Sequence, residues 1–268
     1  MKLRAFLFAI LLALASLPLA AQMLSTGVGS NGSSSSPPPY VASAVHLDGA
    51  TYIDIAAVTA TDSGLFAYSG WLKSTLIGSD VNWVFAFDPF NNQNPFMTIL
   101  GSLDVAAGTM AFYYQGVAGD VEFTTNSGAW PADTNWHHIF VFANTNLATP
   151  TLSFYLDGAL VTTFLSAGGG PFISQFSGIE FSMPDNPSSG HGPPFLIGDI
   201  ADWWIAPGSS ETDVTVFRDP ITGKPKNPNT FPSAAILFSG DATMFATNQG
   251  SGGATITTGI LTNALTHP

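Results

Sequence analysis

The chain has no cysteine, few charges and few glutamates, and each shortage closes a class of chemistry. With no cysteine there is no disulfide, no thiol nucleophile and no thiolate metal site, so an exported chain of this kind is held by its core. Only 9% of the 268 residues are charged, and Lys plus Arg number 6 against 18 Asp plus Glu. A surface so poor in cations repels phosphate backbones, which excludes nucleic acid as a partner. Glutamate occurs three times, as Glu122, Glu180 and Glu211. No Gly-x-Ser-x-Gly elbow is present. Convincing helical periodicity is nearly absent. The one candidate is 210–217, where Ser210 can cap and Glu211 with Asp213 favour the positive end of a helix dipole.

The first 21 residues hold the one long apolar run. Lys2 and Arg4 precede Ala5–Leu17, then Pro18 and the small pair Ala20–Ala21. This pattern is expected to be a secretory signal peptide cleaved near Ala21, with a run too short for a comfortable membrane span. No cysteine follows it, which excludes lipoprotein attachment. Without residues 1–21 the chain keeps four basic against eighteen acidic residues, a formal charge of −14. The expected address is the medium or cell surface (the periplasm if export stops there), with no stable membrane span after cleavage. Residues 22–40 are a Ser/Gly/Pro linker. Within it Gly27, Gly29 and Gly32 spell the dinucleotide fingerprint, but no strand precedes them and a Pro-rich tract follows, so no helix N-terminus exists to hold a pyrophosphate.

What the chain does have is β-sequence. From Trp136 to Phe164, three aromatic and β-branched runs are split by turn residues, the pattern of an antiparallel meander. Strand 136–143 is apolar on both alternating faces and is therefore expected to be central and covered on both sides. Asp157-Gly158 suits a two-residue type I′ turn. Asp48-Gly49, in the same string "LDGA", is expected to form a second tight hairpin. Further strands are expected at 44–48, 51–56, 66–73, 82–88, 96–101, 109–115, 120–124, 178–182, 195–198, 200–206, 235–239 and 254–261. The fold class is all-β, an antiparallel two-sheet jelly-roll sandwich over residues 41–207. Residues 208–268 are a C-terminal extension packed on it, ending in Thr/Asn/Gly-rich sequence of the kind that decorates bacterial and phage surface proteins.

The strings "WHHIFVF…LSFYLDGALV", "VHLDGATYIDI" before them and "FLIGDIADWWI" after them resemble the laminin-G-like branch of the concanavalin A-like lectin/glucanase sandwiches, over roughly residues 44–206. The resemblance implies the jelly-roll fold, a structural role for the His pair, and calcium and glycan binding at a loop rim. It also raises a glucanase, whose acids follow a Glu-x-Asp-x-x-Glu strand pattern.

Catalysis finds little to work with. Asp120 and Glu122 have the spacing of same-face strand neighbours, roughly 6.6 Å apart by rise, near the separation of about 5–5.5 Å that retaining hydrolysis needs. Position 124 is Thr, so the third acid is missing. His137 and His138 point to opposite faces of a strand and cannot chelate one metal. His191 has no second His nearby.

The candidate binding residues are Asp88, Asn91, Asn92 and Asn94 of the polar loop 88–94, with Tyr113 and Trp204. Calcium, the one cofactor in view, is expected at Asp88, Asn92 and Asp120, since several hard oxygen donors share one rim; a hydrogen-bonded turn cluster is the competing reading. Trp71, Trp83, Trp136 and Trp203 read as core. Trp204 must face away from Trp203, and either covers the sheet beneath the C-terminal tail or stacks on a sugar. The expected function is a secreted, non-catalytic binding or adhesion module for carbohydrate or a cell-surface component, with room for an oligomer. The alternatives are a structural or decoration protein of a virion or cell envelope and, third, a β-glucan hydrolase.

Overall fold

A computed structural model describes residues 40–74, 84–87, 97–99, 109–116, 119–126, 128–131, 133–167, 171, 173–183 and 196–268. Among them sixteen strands pair into two antiparallel eight-stranded sheets. The first sheet runs, edge to edge, β10 (Ala159–Val161), β9 (Thr151–Leu156), β8 (His137–Asn144), β3 (Leu65–Ser74), β13 (Ile197–Pro207), β1 (Val45–Asp48) and β16 (Thr262–Asn263). Strand β14 (Ile236–Phe238) pairs with the far half of β13. The second sheet runs β11 (Thr163–Ala167), β7 (Gly119–Thr125), β6 (Ala111–Gly116), β5 (Met97–Ile99), β4 (Phe85–Phe87), β12 (Phe181–Met183), β2 (Tyr52–Ile55) and β15 (Ile256–Thr258). The chain is an antiparallel two-sheet β-sandwich.

The period-2 alternation explains the layers. Phe66, Tyr68 and Leu72 on β3 and Ile200, Trp203 and Ile205 on β13 join Phe85, Phe87, Phe176 and Phe181 in the core between the sheets. Tyr68 and Trp203 meet edge-on at 5.2 Å, and Phe66 stacks on Phe176 at 5.9 Å. Gly70 keeps this corner open, because a Cβ there would stand 2.5 Å from the Tyr68 hydroxyl and 2.9 Å from Trp203 Nε1.

The opposite face of the first sheet is also covered. Phe217 packs on Trp204 at 4.7 Å and on Phe140 at 5.4 Å. Ala42 and Ala44, ahead of β1, lie with Trp71 and Ala201 in a second small apolar cluster. Strand β8 therefore sits between β3 and β9 with both faces shielded, as its apolar alternation implies. Residues 208–268 are woven into both sheets through β14, β15 and β16.

Three expectations are corrected. Asp48-Gly49 makes no hairpin, because β1 and β2 belong to different sheets. The Asp48 carboxylate accepts the amides of Ala50 and Thr51, and Gly49 takes φ +81°, turning the chain across the sandwich. Asp157 (φ 52°) and Gly158 (φ 81°) do form the two-positive-φ hairpin. Residues 210–217 form no α-helix: only a 3-10 turn at Val214–Val216 appears, capped by Asp213, whose carboxylate accepts the Thr215 amide. β-Branched Thr212, Val214, Thr215 and Val216 leave that segment little helical tendency. The α-helix among the described residues is instead α1 (Ala242–Phe245), capped by Asp241. Finally, the two strands expected at 195–198 and 200–206 are, over the described residues, one strand, β13 (Ile197–Pro207), with a register shift between Ala201 and Trp204.

Candidate functional site

Of the residues expected to bind, Asp88, Asn91, Asn92 and Asn94 lie outside the described residues. Asp120 stands on β7 opposite Gln115, and Tyr113 on β6 opposite Glu122. Trp204 is corrected as a sugar platform: it is fully buried beneath Phe217, and its Nε1 donates to the Pro232 carbonyl across 2.8 Å. No exposed ring face is left for a ligand. Trp71 and Trp203 are buried as expected, whereas Trp136 is half-buried just ahead of β8, and Trp83 and His191 lie outside the described residues. Among the described residues no group of three or more His, Asp and Glu could hold a metal ion.

The His pair has two separate duties. His137 Nδ1 donates to Asp157 Oδ2 at 2.7 Å, and Nε2 to Asp133 Oδ1 at 2.9 Å. Burial disfavours its charge, but the hydrogen bonds to Asp157 and Asp133 outweigh burial and raise its pKa. On the other face, His138 is wholly buried, with Nε2 2.9 Å from Ser69 Oγ and its ring against Trp71 at 4.9 Å. Burial first, and the Arg218 charge second, push its pKa down to about 3, so it is neutral.

The residues that do converge were not singled out by sequence. Register places Thr262 of β16 opposite His46 of β1, His46 opposite Asp199 of β13, and Asp199 opposite Lys73 of β3. Four neighbouring strands thus carry one polar row on the outer face of the first sheet. The His46 Nδ1 to Asp199 Oδ1 distance is 2.8 Å, and Lys73 Nζ lies 3.6 Å from Asp199 Oδ2. Lys73 Nζ and Trp136 Nε1 both donate to Thr266 Oγ1, at 2.9 and 3.2 Å. A cleft of about 370 Å³ runs along this row, lined also by Asn263, Ala264 and Leu265.

The cleft combines a carboxylate, an ammonium group, an amide, a hydroxyl and an imidazole beside apolar surface. Asp199 is the one carboxylate lining it, so hydrolysis by two carboxyl groups has no second member there. Outward polar residues at His46, Lys73 and Asp199 were visible as interruptions in apolar strands. Their meeting depends on β13 lying between β1 and β3, which no local pattern reveals.

A buried carboxylate lies one step further along β13. Asp202, at φ +49°, sits at the register shift where β1 gives way to β14. Its Oδ1 accepts the hydroxyls of Tyr40 (2.9 Å) and Ser239 (2.8 Å), while Oδ2 is buried without a partner. Burial raises its pKa to about 7.

No family model and no curated protein matches the chain. Solved structures similar to it are concanavalin A-like jelly-roll domains at low identity. They include domains LG4-5 of the mouse laminin alpha1 chain, at 13% identity and TM-score 0.44, covering 83% of this chain and 51% of that one. A heptameric SAP-like pentraxin from Limulus polyphemus shows 12% identity and TM-score 0.41, with 61% and 75% covered. Domain 4 of an extracellular arabinanase from Geobacillus stearothermophilus, solved with arabinotriose, shows 12% identity and TM-score 0.42, with 60% and 69% covered. The chain thus spans about half the length of the laminin pair. At TM-scores below 0.5 these are likenesses of fold, and the sandwich assignment stands on the strand pairing itself. Among the described residues no helix is long and apolar enough to cross a membrane.

Proposed function

We propose that the protein is a secreted, non-catalytic binding module that recognises a neutral carbohydrate in the cleft along Thr262, His46, Asp199 and Lys73. The observation that carries this reading is the cross-strand row itself: donors and acceptors held by paired strands beside the exposed Leu265, with the Trp136 indole tied to Lys73 through Thr266. Sugar hydroxyls both donate and accept, and a rigid sheet holds their partners at little cost in ordering. Asp199 is held between His46 and Lys73, which suits it to accept hydrogen bonds.

Binding of calcium by Asp88, Asn92 and Asp120 belongs to the same proposal as a separate rim site; its support is the density of oxygen donors in 88–94. A glycan array probed with the protein, and with Lys73→Ala and Asp199→Asn variants, tests the cleft. Signal on neutral glycans that both variants lose supports the reading. A blank array, or signal indifferent to both substitutions, overturns it.

A further inference from the structure

Residues 40–268 contain four basic residues, and three of them, Arg218, Lys224 and Lys226, fall within nine positions. They lie on one turn, where Asp219 N donates to the Lys224 carbonyl at 2.8 Å and Lys226 N to the Phe217 carbonyl at 2.9 Å. On a surface so acidic, this is the one concentration of positive charge in that stretch of sequence.

Arg218 acts on Asp157 and His138 through its charge, and among the described residues its side chain makes no hydrogen bond or ion pair. Two turns make room for its guanidinium. A Cβ at Gly158 would lie 3.0 Å from Nη1 and one at Gly223 2.7 Å from Nη2, and both glycines have positive φ. Its Nε is buried without a hydrogen-bond partner, and among the described residues no carboxylate lies within ion-pair distance of it. The nearby acids are occupied elsewhere. Asp157 accepts from His137 Nδ1 and the His138 amide, Asp213 from Thr215, and Asp219 from the amides of Ile221 and Thr222. A pocket of about 300 Å³ opens beside the guanidinium, lined also by Asp157, Gly158, Ala159, Val214, Thr215 and Pro220; both oxygens of the Asp157 carboxylate are engaged by His137 and the His138 amide.

We propose that this pocket takes the carboxylate of an acidic sugar, a uronate, with Arg218 as its counter-ion and Ala159, Val214 and Pro220 against the ring. A planar guanidinium matches a carboxylate in shape and is weakly hydrated, so pinning it in place favours an arriving anion over water. Neutral sugars offer no partner for the charge. The site is on the β9–β10 turn and the 214–226 segment, away from the polar row of β1, β13 and β3, and stands or falls independently of it.

The test is a titration of the full chain with glucuronate, and with glucose at equal concentration, followed through the NMR amide signals of Gly158 and Thr215. Glucuronate is expected to shift both signals saturably and glucose to leave them in place. Arg218→Gln should weaken the glucuronate response about tenfold or more, the usual cost of losing a charge-assisted pair. Since Arg218 also supports two turns, Ala159→Glu gives a second reading: the residue is exposed, so an acid there repels the ligand and leaves the melting temperature unchanged. Glucose shifting the two signals as strongly as glucuronate, or a glucuronate response that survives Ala159→Glu, overturns the proposal.

Discussion

His137 Nδ1 donates to Asp157 Oδ2 across 2.7 Å, and the same carboxylate takes the His138 amide at 2.9 Å, so the start of β8 and the β9–β10 turn are locked together. The pH window of this lock follows from the shifts. His137 is raised, so its share is fully present below its unfolded pKa of about 6.5 and is lost as pH rises through the higher folded value. Asp157 and Asp133 are lowered. Asp133 is lowered first by the hydrogen bond from His137 Nε2; in Asp157 burial opposes the shift, and the hydrogen bonds from His137 Nδ1 and the His138 amide outweigh it. Their share is present above about 3.8 and is lost as pH falls through the lower folded values. Asp157→Asn, which tolerates the positive φ, should therefore destabilise by about 1–3 kcal/mol near pH 5.5 and by clearly less at pH 9. Melting curves at the two pH values check this; an equal deficit at both contradicts it.

Asp202 works in the other direction from an ordinary surface carboxylate. Burial raises its folded pKa from 3.8 to about 7, so the stability tied to its protonated form is present below 3.8 and is lost as pH rises to about 7. Asp202→Asn removes the titration while keeping a residue that accepts positive φ. Between pH 5 and pH 7 the melting temperature of the variant should fall less than that of the parent. Parallel curves would show that Asp202 does not titrate in this range.

Gly70→Ala should cost about 1–3 kcal/mol, since the added methyl must displace Tyr68 or Trp203 from a filled core. Urea unfolding measures it as a lower midpoint at unchanged slope. A neutral substitution would mean that this corner of the core is looser than its contacts imply.

Calcium should raise the melting temperature if the 88–94 rim binds it, because a ligand that binds the folded state alone stabilises that state by mass action. Asp88→Ala should remove most of the rise, and Asp62→Ala, which loses the bonds to the Phe176 and Ser177 amides, should not. A curve indifferent to calcium leaves the loop a turn.

Much of the fold was legible because it is local. Alternation in 136–143 revealed a central strand, and Asp157-Gly158 revealed the β9–β10 turn. The facing of Trp203 and Trp204 to opposite sides also followed from the strand period. Other features depend on partners distant in sequence. Nothing within "LDGA" distinguishes the Asp48 crossing from the Asp157 hairpin, because the difference is which sheet the next strand joins. Capping residues at 210–213 suggested a helix, but β-branched neighbours decided the outcome. The cleft was hidden for the same reason as the crossing: His46, Lys73 and Asp199 are far apart in sequence, and only the order β1–β13–β3 makes them neighbours.

The most direct test of the central claim is to map, by NMR, the neutral glycan that gives the strongest array signal. Saturable shifts are expected in the Trp136 indole and in the amides of His46, Lys73 and Asp199, all lost in Asp199→Asn. Shifts that leave these four residues unmoved would contradict that claim.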